Sequence, residues 1–531
     1  MGSPRLGFDV ARSVTAVFVQ QGVIYGLSLL TFGIFARFLS VDEMGLYALL
    51  LVALNLVAYG GNLGLKKIMV RLISSHRAVG EFERMKRVFW TSLLIGLIPI
   101  IVFTIGTTFF LIYLYHFMFT TPSVDPYLFL IATLIFATRF HLSGGMEGLK
   151  RFEVLSVYSA GGFTLRRIIA IFLVMTGNGL TGILTGWVIG EGLCLVLVLM
   201  EIIKDYGRPL LGYDKTLLFR QSLPMFVADL ANYLVEWGDR PVVALFGLSW
   251  IALFHVAASG NTFLNTATMA IYIGVLPYLS EAFHSSGERE LIMKVKDLGR
   301  YIIIFSSPIS IGAAALAYPI IDLLAGPRYI GVAPLFMVIA IGVWISATST
   351  LYQSALIAAG LTKEVMYATA VGTLLEIVLF VGLTPIFGLL SVGLGRALLL
   401  VSTFILCLYF MYKRIGLEVD WTAMWKSYLA SLVMGVVVYY LWQHGIWVIL
   451  SLLPWGIEYV LVYSLLLPFL IVIGITIYVA GLRILRVARV DEVALLYRSV
   501  PIRFKVVVRI ISKITGLDYA EVKAEAEKIK E

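Results

Sequence analysis

Hydrophobic residues in this chain gather into about fourteen long runs separated by short polar stretches. They lie at roughly 14–38, 44–64, 88–114, 127–147, 155–176, 180–202, 223–247, 252–279, 301–324, 334–359, 366–386, 390–412, 427–450 and 459–482. A helix needs about 20 residues to cross a ~30 Å hydrocarbon core, and each run is long enough. The pattern predicts an all-α polytopic membrane protein with about fourteen transmembrane helices.

Charge orders these runs. Of the 41 Lys and Arg, 34 lie in the N-terminus, the even-numbered loops and the C-terminal tail, while the odd-numbered loops hold one, Arg328. The positive-inside rule therefore predicts both termini on the cytoplasmic side of the cell membrane and an even number of crossings. The net charge of +9 is mostly this loop bias, so nucleic acid is not an expected partner. With 60% hydrophobic and 14% charged residues, an ordinary soluble domain is excluded. Cys194 and Cys407 sit inside runs with no metal or disulfide spacing, and core packing is expected for both. The first run is too long for a signal-peptide core, so no cleavable leader is expected.

The runs repeat. Pro99 matches Pro308, Gly148 matches Gly360, and the glycine-rich stretch 179–186 resembles 388–395, all at an offset of about 210 residues. Ala36 to Tyr47 lies over Ala244 to Phe254 with one gap. An offset of six runs keeps orientation, so the pattern predicts a parallel repeat of two six-helix bundles, 1–210 and 211–415. Two further helices at 416–482 and a basic cytoplasmic tail at 483–531 follow. The tail mixes eleven basic residues, among them Arg489, Arg503, Lys505 and Arg509, with apolar ones. That composition suits a segment lying on anionic lipid, and membrane lipids are expected partners.

Six basic residues fall inside runs: Arg37, Arg139, Arg166, Arg167, Arg240 and Arg396. Each costs at least about 2.5–3.5 kcal/mol near mid-membrane, so a function or a partner is required. A guanidinium can donate two parallel hydrogen bonds to a phosphate, which makes the six candidate substrate-binding residues. The alternative is structural pairing with Glu191, Glu236 or Glu376. Arg166 and Arg167 are ~100° apart on a helix, so only one is expected to face a central cavity.

The seventh run is the most polar. At ~100° per residue, Asp229, Asn232, Glu236, Asp239 and Arg240 share one face of one helix, with Glu236 and Arg240 in a favourable i,i+4 ion pair and Pro241 kinking the helix. Asp229, Asn232, Glu236 and Asp239, with Glu376 in the eleventh run, are candidate ion-coupling residues. Asp229, Asn232, Asp239 and Glu376 could ligate sodium, or the carboxylates could carry protons. The alternative is a polar wall that binds no ion. Gly182, Gly186 and Gly190 predict close helix packing. There is no P-loop, zinc or dinucleotide motif, so no cofactor and no direct ATP drive is expected, and the external loops are too short for an enzyme site.

Several stretches resemble the polysaccharide and lipid-linked-oligosaccharide flippases of the MOP (multidrug/oligosaccharidyl-lipid/polysaccharide) superfamily. They are Ala36-Arg-Phe-Leu-Ser-Val-Asp-Glu-Met-Gly-Leu-Tyr47 with Gly61-Asn-Leu-Gly64 and Val70-Arg71, then Gly148-Leu-Lys-Arg-Phe152, then Ser222-Leu-Pro224 with Asp239-Arg240. The resemblance implies two six-helix bundles in a V, alternating access, and flipping of a polyprenyl- or dolichyl-linked sugar, coupled in several members to sodium or protons by antiport. It also places the seventh span near the eleventh, and so Glu376 near the seventh-span face. Arg12 and Arg37 sit at the ends of the first run with no arginine between, which argues against peptidoglycan precursor as cargo. A cation-coupled multidrug exporter of the MATE type is the alternative. A monomer is expected, working beside other polysaccharide-assembly proteins.

Overall fold

In the computed structural model, residues 4–118, 124–269, 275–417, 421–452, 459–487, 512 and 518–528 are described, and every secondary-structure element among them is helical. The chain forms two compact units. One is Met1–His255 with Leu324–Gly326, and the other is Val256–Leu323 with Pro327–Glu531.

The first unit contains α1 (Pro4–Phe38), α2 (Val41–Gly60), α3 (Leu65–Ala78), α4 (Phe82–Met118), α5 (Pro126–Gly148), α6 (Phe152–Met175), α7 (Gly179–Tyr206), α8 (Lys215–Trp237) and α9 (Asp239–Ala244). The resemblance motif at 36–47 is the α1–α2 turn. Ser40 caps α2 in a reciprocal box: its Oγ accepts from the Glu43 N–H, and Glu43 Oε2 accepts from the Ser40 N–H at 2.8 Å. Gly45 is demanded by packing, because a Cβ there would lie 2.3 Å from the Leu248 carbonyl oxygen. The Gly61–Gly64 turn meets the Ser222–Pro224 stretch of α8. Gly64 has φ +71°, and a Cβ on it would sit 2.5 Å from the Ser222 carbonyl oxygen. Pro224 lies inside α8 at this crossing.

α10 (Leu248–Met269) leads into the second unit, followed by α11 (Val275–Ser286), α12 (Glu288–Ala315), α13 (Ala317–Ala325), a 3-10 turn (Pro327–Val332), α14 (Ala333–Ile341), α15 (Val343–Ala358), α16 (Thr362–Phe387) and α17 (Leu390–Ile415). Leu291, Ile302, Leu351, Tyr352 and Cys407 are among its buried core residues. The two additional helices, α18 (Trp421–Leu452) and α19 (Tyr459–Ile484), pack on α12 through Ile311, Met434, Leu470 and Tyr478. Within that contact the Tyr478 hydroxyl donates to the Ile304 carbonyl at 2.8 Å, and Ser431 donates to Ser307 at 2.9 Å. Arg300 and Lys426 then donate to carbonyls just past the end of α19, at Val487 and Leu485. Cations satisfy exposed carbonyls at a helix C-terminus, which fixes the end of the pair.

Among the described residues, twelve of the fourteen expected spans are helices long and apolar enough to cross a membrane. The other two are α8, which carries Asp229, Asn232 and Glu236, and α10, whose run continues into residues outside the description. Outward-facing Ile98, Val102 and Phe109 on α4 present the apolar surface that lipid would cover.

Three features add to the span pattern. The seventh run is broken once: α8 stops at Trp237, Gly238 keeps right-handed helical angles, and Asp239 and Arg240 open α9. Pro241 clashes with the carbonyl four residues back, at Trp237, so the continuous helix ends there. The first compact unit runs through His255, and α8 and α9 pack within it. Residues 65–78, read as a connection, form the amphipathic helix α3, with Leu65, Ile68, Met69 and Ile73 buried. Ser512 and the tail helix α20 (Tyr519–Lys528) are described, whereas Arg489, Arg503, Lys505 and Arg509 lie outside the described residues.

Candidate functional site

The glycine ridge builds the site. A Cβ on Gly190 would lie 2.5 Å from Arg166 Cβ, one on Gly186 2.6 Å from the Arg166 carbonyl oxygen, and one on Gly182 2.7 Å from Leu173 Cβ. α6 and α7 therefore touch backbone to backbone. Glu191, next to the last ridge glycine, is thereby brought level with Arg166. Its two oxygens take two arginines: Arg166 Nη1 at 2.9 Å on Oε1 and Arg139 Nε of α5 at 2.5 Å on Oε2. Arg166, Arg167 and Glu191 are buried.

Arg167 is placed differently. Its Nη1 donates to the Tyr47 hydroxyl at 3.1 Å, and its guanidinium sits 4.9 Å from the Phe163 ring centroid. The Phe163 ring lies 4.7 Å from Arg166 as well. Tyr47 is walled by Phe35 at 5.5 Å and by His255 at 5.9 Å between centroids. The Nε atoms of Arg166 and Arg167 and the Nδ1 of His255 have no hydrogen-bond partner among the described residues. Two guanidiniums thus share one carboxylate, and a third, Arg167, lies buried beside them on a neutral hydroxyl, where charge interactions are strong. Buried donors without acceptors are rare in proteins, and an arrangement of this kind suits an anionic ligand.

The remaining arginines are dispersed. Arg37, at the exposed end of α1, donates to the Gly33 carbonyl at 3.2 Å. Arg240 bonds Asp239 at 3.2 Å and the Glu236 carbonyl oxygen at 2.6 Å, in place of the expected Glu236 carboxylate pair. Arg396 of α17 meets Glu376 of α16 at 3.4 Å. Glu376 stands about 210 residues after Arg166, and a Cβ on Gly395 would lie 2.8 Å from its carbonyl oxygen. Each unit therefore has a glycine-packed helix pair bearing an ion pair, with arginine on the first helix in one and glutamate on the first helix in the other.

The candidate ion-coupling residues separate. Asp229 is buried and accepts from Lys67 of α3 at 2.5 Å, and Asp239 is buried beside Arg240, while Asn232 and Glu236 are exposed. These four belong to the first unit and Glu376 to the second. Among the described residues no group of three or more His, Cys, Asp or Glu could hold a metal ion.

A second polar cluster was not anticipated. Lys66 pairs with Glu147 at 2.8 Å and lies 4.0 Å over the Phe140 ring. Burial pushes its ammonium below the usual lysine range, and Glu147 opposes this. His141 reaches Asn62 Oδ1 at 2.6 Å through Nδ1 and the Ser92 carbonyl at 3.2 Å through Nε2. Lys66 opens α3 and Glu147 closes α5, far apart in sequence, so nothing in the chain marks them as a pair.

An all-helical polytopic protein with this organisation belongs to a known structural class. The structure of the lipid II flippase MurJ in its inward closed conformation matches with a TM-score of 0.64 and 16% identity, covering 91% of this chain and 99% of that one. An inward-facing multidrug resistance MATE transporter of the MOP superfamily matches with a TM-score of 0.59 and 13% identity, over 75% of this chain and 98% of its own. The family described as polysaccharide biosynthesis protein matches residues 34–334, and the chain belongs to that family. Among relatives, the succinoglycan biosynthesis transport protein ExoT of Rhizobium meliloti (strain 1021) is 24% identical over 333 residues, and the match spans 60% of this chain and 63% of that protein. The probable low-salt glycan biosynthesis flippase Agl15 of Haloferax volcanii is 19% identical over 446 residues, 81% of this chain and 89% of that protein. The family resemblance and the all-α fold class read from the sequence are borne out.

Proposed function

We propose that this protein flips a lipid-linked oligosaccharide or polysaccharide repeat unit, carried on a polyprenyl or dolichyl phosphate or pyrophosphate, across the cell membrane. It acts as a transporter by alternating access and not as an enzyme. The observation that carries this reading is the excess of three guanidiniums over one carboxylate at α5, α6 and α7, with Arg166 and Arg167 buried and Arg167 held by a neutral hydroxyl. A phosphate-bearing headgroup supplies the missing negative charge. The printed names of the two relatives point to the same cargo class. The MATE fold admits cationic drugs as an alternative cargo, but an excess of buried cations repels them.

Purified protein in vesicles is expected to translocate a fluorescent lipid-linked oligosaccharide and to leave a cationic dye unmoved. Dye transport without lipid-sugar transport would reverse the assignment.

The loop asymmetry supports cytoplasmic termini. A Ser75→Cys variant, on exposed α3, is expected to react with an impermeant thiol reagent only after the membrane is opened. Reaction from outside intact cells would invert the topology.

A further inference from the structure

Arg166 and Arg167 are neighbours on α6 with 7% and 8% of their surface exposed, yet only Arg166 is bound to Glu191. Each oxygen of Glu191 accepts one guanidinium, and a carboxylate oxygen can accept two donors, so room for a third arginine remains. The charge of Arg167 also acts on Glu191. Away from water that attraction is strong and draws Arg167 towards the carboxylate.

The Phe163 face does not hold Arg167 apart, because it lies at similar distance from both guanidiniums, 4.7 Å for Arg166 and 4.9 Å for Arg167. The contact that separates the two is the Tyr47 hydroxyl, which accepts from Arg167 Nη1 at 3.1 Å. The Nε of Arg167 is left without a partner among the described residues. A hydrogen bond from a charged donor is among the stronger ones in a protein. Tyr47 is itself buried, with its ring met edge-on by Phe35 and His255 and flanked by Trp187 at 6.3 Å. Phe32 closes on His255 from the other side at 5.9 Å. A ring packed in this way has no room for a second rotamer, so its hydroxyl is a fixed point.

Short-range sequence signals put it there. The Ser40–Glu43 box sets where α2 begins, and Gly45, lacking a Cβ, lets α2 reach the Leu248 carbonyl of α10. His255 stands seven residues after Leu248, two turns along the same helix face, and so comes against Tyr47.

We propose that Tyr47 is a positioning residue for transport: its hydroxyl keeps Arg167 off Glu191 and so keeps one guanidinium available to the phosphate of the cargo. Tyr47 has this role only if Arg167 meets phosphate, so the assignment rests on the transport reading above. A hydroxyl suits the task where a carboxylate would not. It is neutral, so it orients the guanidinium without cancelling its charge, and its bond yields to the stronger one that an anionic phosphate offers.

Tyr47→Phe keeps the ring and its packing and removes only the hydroxyl. A structure of the full-length variant in lipid nanodiscs is expected to show Arg167 within hydrogen-bond distance of Glu191. Translocation of a fluorescent lipid-linked oligosaccharide in vesicles, at low cargo concentration and normalised to folded protein, should fall by about tenfold, the scale of one hydrogen bond to a charged group. Tyr47 acts through Arg167, so the two losses must not add. In an Arg167→Ala background, Tyr47→Phe should change the rate by less than about twofold. A tyrosine that only supports the fold would lower the rate by the same factor in both backgrounds. Arg167 still apart from Glu191 in Tyr47→Phe overturns the proposal. So does a wild-type rate in Tyr47→Phe, or a full additional loss in the Arg167→Ala background. If the wild-type protein moves no lipid-linked sugar, the transport reading falls instead, and the structure of the variant still decides whether Tyr47 holds Arg167 in place.

Discussion

Glu191→Gln is expected to be among the most destabilising single substitutions in the first unit, costing roughly 3–5 kcal/mol, the range for a buried ion pair that loses one partner. Glu191 is the carboxylate for both Arg139 and Arg166, so the change strands two buried guanidiniums together. They then repel each other across the space the carboxylate occupied. The amide keeps the shape of the side chain, which separates the charge effect from a packing defect. Arg166→Met should cost less, because Arg139 still pairs with Glu191 and the apolar replacement needs no partner. Thermal unfolding in detergent, followed by retention on size exclusion, ranks the two. A Glu191→Gln protein as stable as Arg166→Met would mean that the carboxylate is not the keystone of the cluster.

Arg167→Ala is expected to leave folding nearly intact and to lower lipid-sugar translocation by about tenfold or more, each tenfold corresponding to ~1.4 kcal/mol. Its bonds are to a neutral hydroxyl and an aromatic face, so removing it strands no opposite charge. What is lost is a guanidinium with free donor capacity for an anion. Arg167→Lys keeps the charge and loses the planar fork, so partial transport is the expected result. The decisive comparison is initial translocation rate in vesicles, normalised to folded protein. Wild-type rates for Arg167→Ala would remove the phosphate role from the residue most open to it, whereas failure to reach the membrane would assign it to the fold.

Arg166 and Arg167, of which only one was expected to face a central cavity, take different partners. Neighbouring residues on a helix diverge by ~100°. Arg166 turns to Glu191 and Arg167 to Tyr47. Structural pairing thus describes Arg166, while the proposed phosphate contact falls to Arg167.

Hydrophobic run length determined the helical membrane architecture, because a bilayer admits few solutions for a backbone that must satisfy its own hydrogen bonds. The glycine ridge at Gly182, Gly186 and Gly190 was legible for the same reason: spacing alone puts small residues on one helix face. The capping residues Ser40 and Glu43 were likewise visible as part of a short motif. Partner choice was not. Lys66 with Glu147, Lys67 with Asp229 and Arg139 with Glu191 join residues from separate elements, and charge pairing has no period along a chain. The break before Asp239 was also tertiary in its consequence. A helical wheel drawn through Pro241 puts Asp239 on one face with Asp229; in the fold the helix breaks at Gly238, and Asp239 opens a separate helix beside Arg240. Sequence thus decided which residues are costly to bury. Only the packing of α3 on α8 and of α5 and α7 around α6 decided which opposite charge each one meets, since that depends on distances the chain does not encode locally.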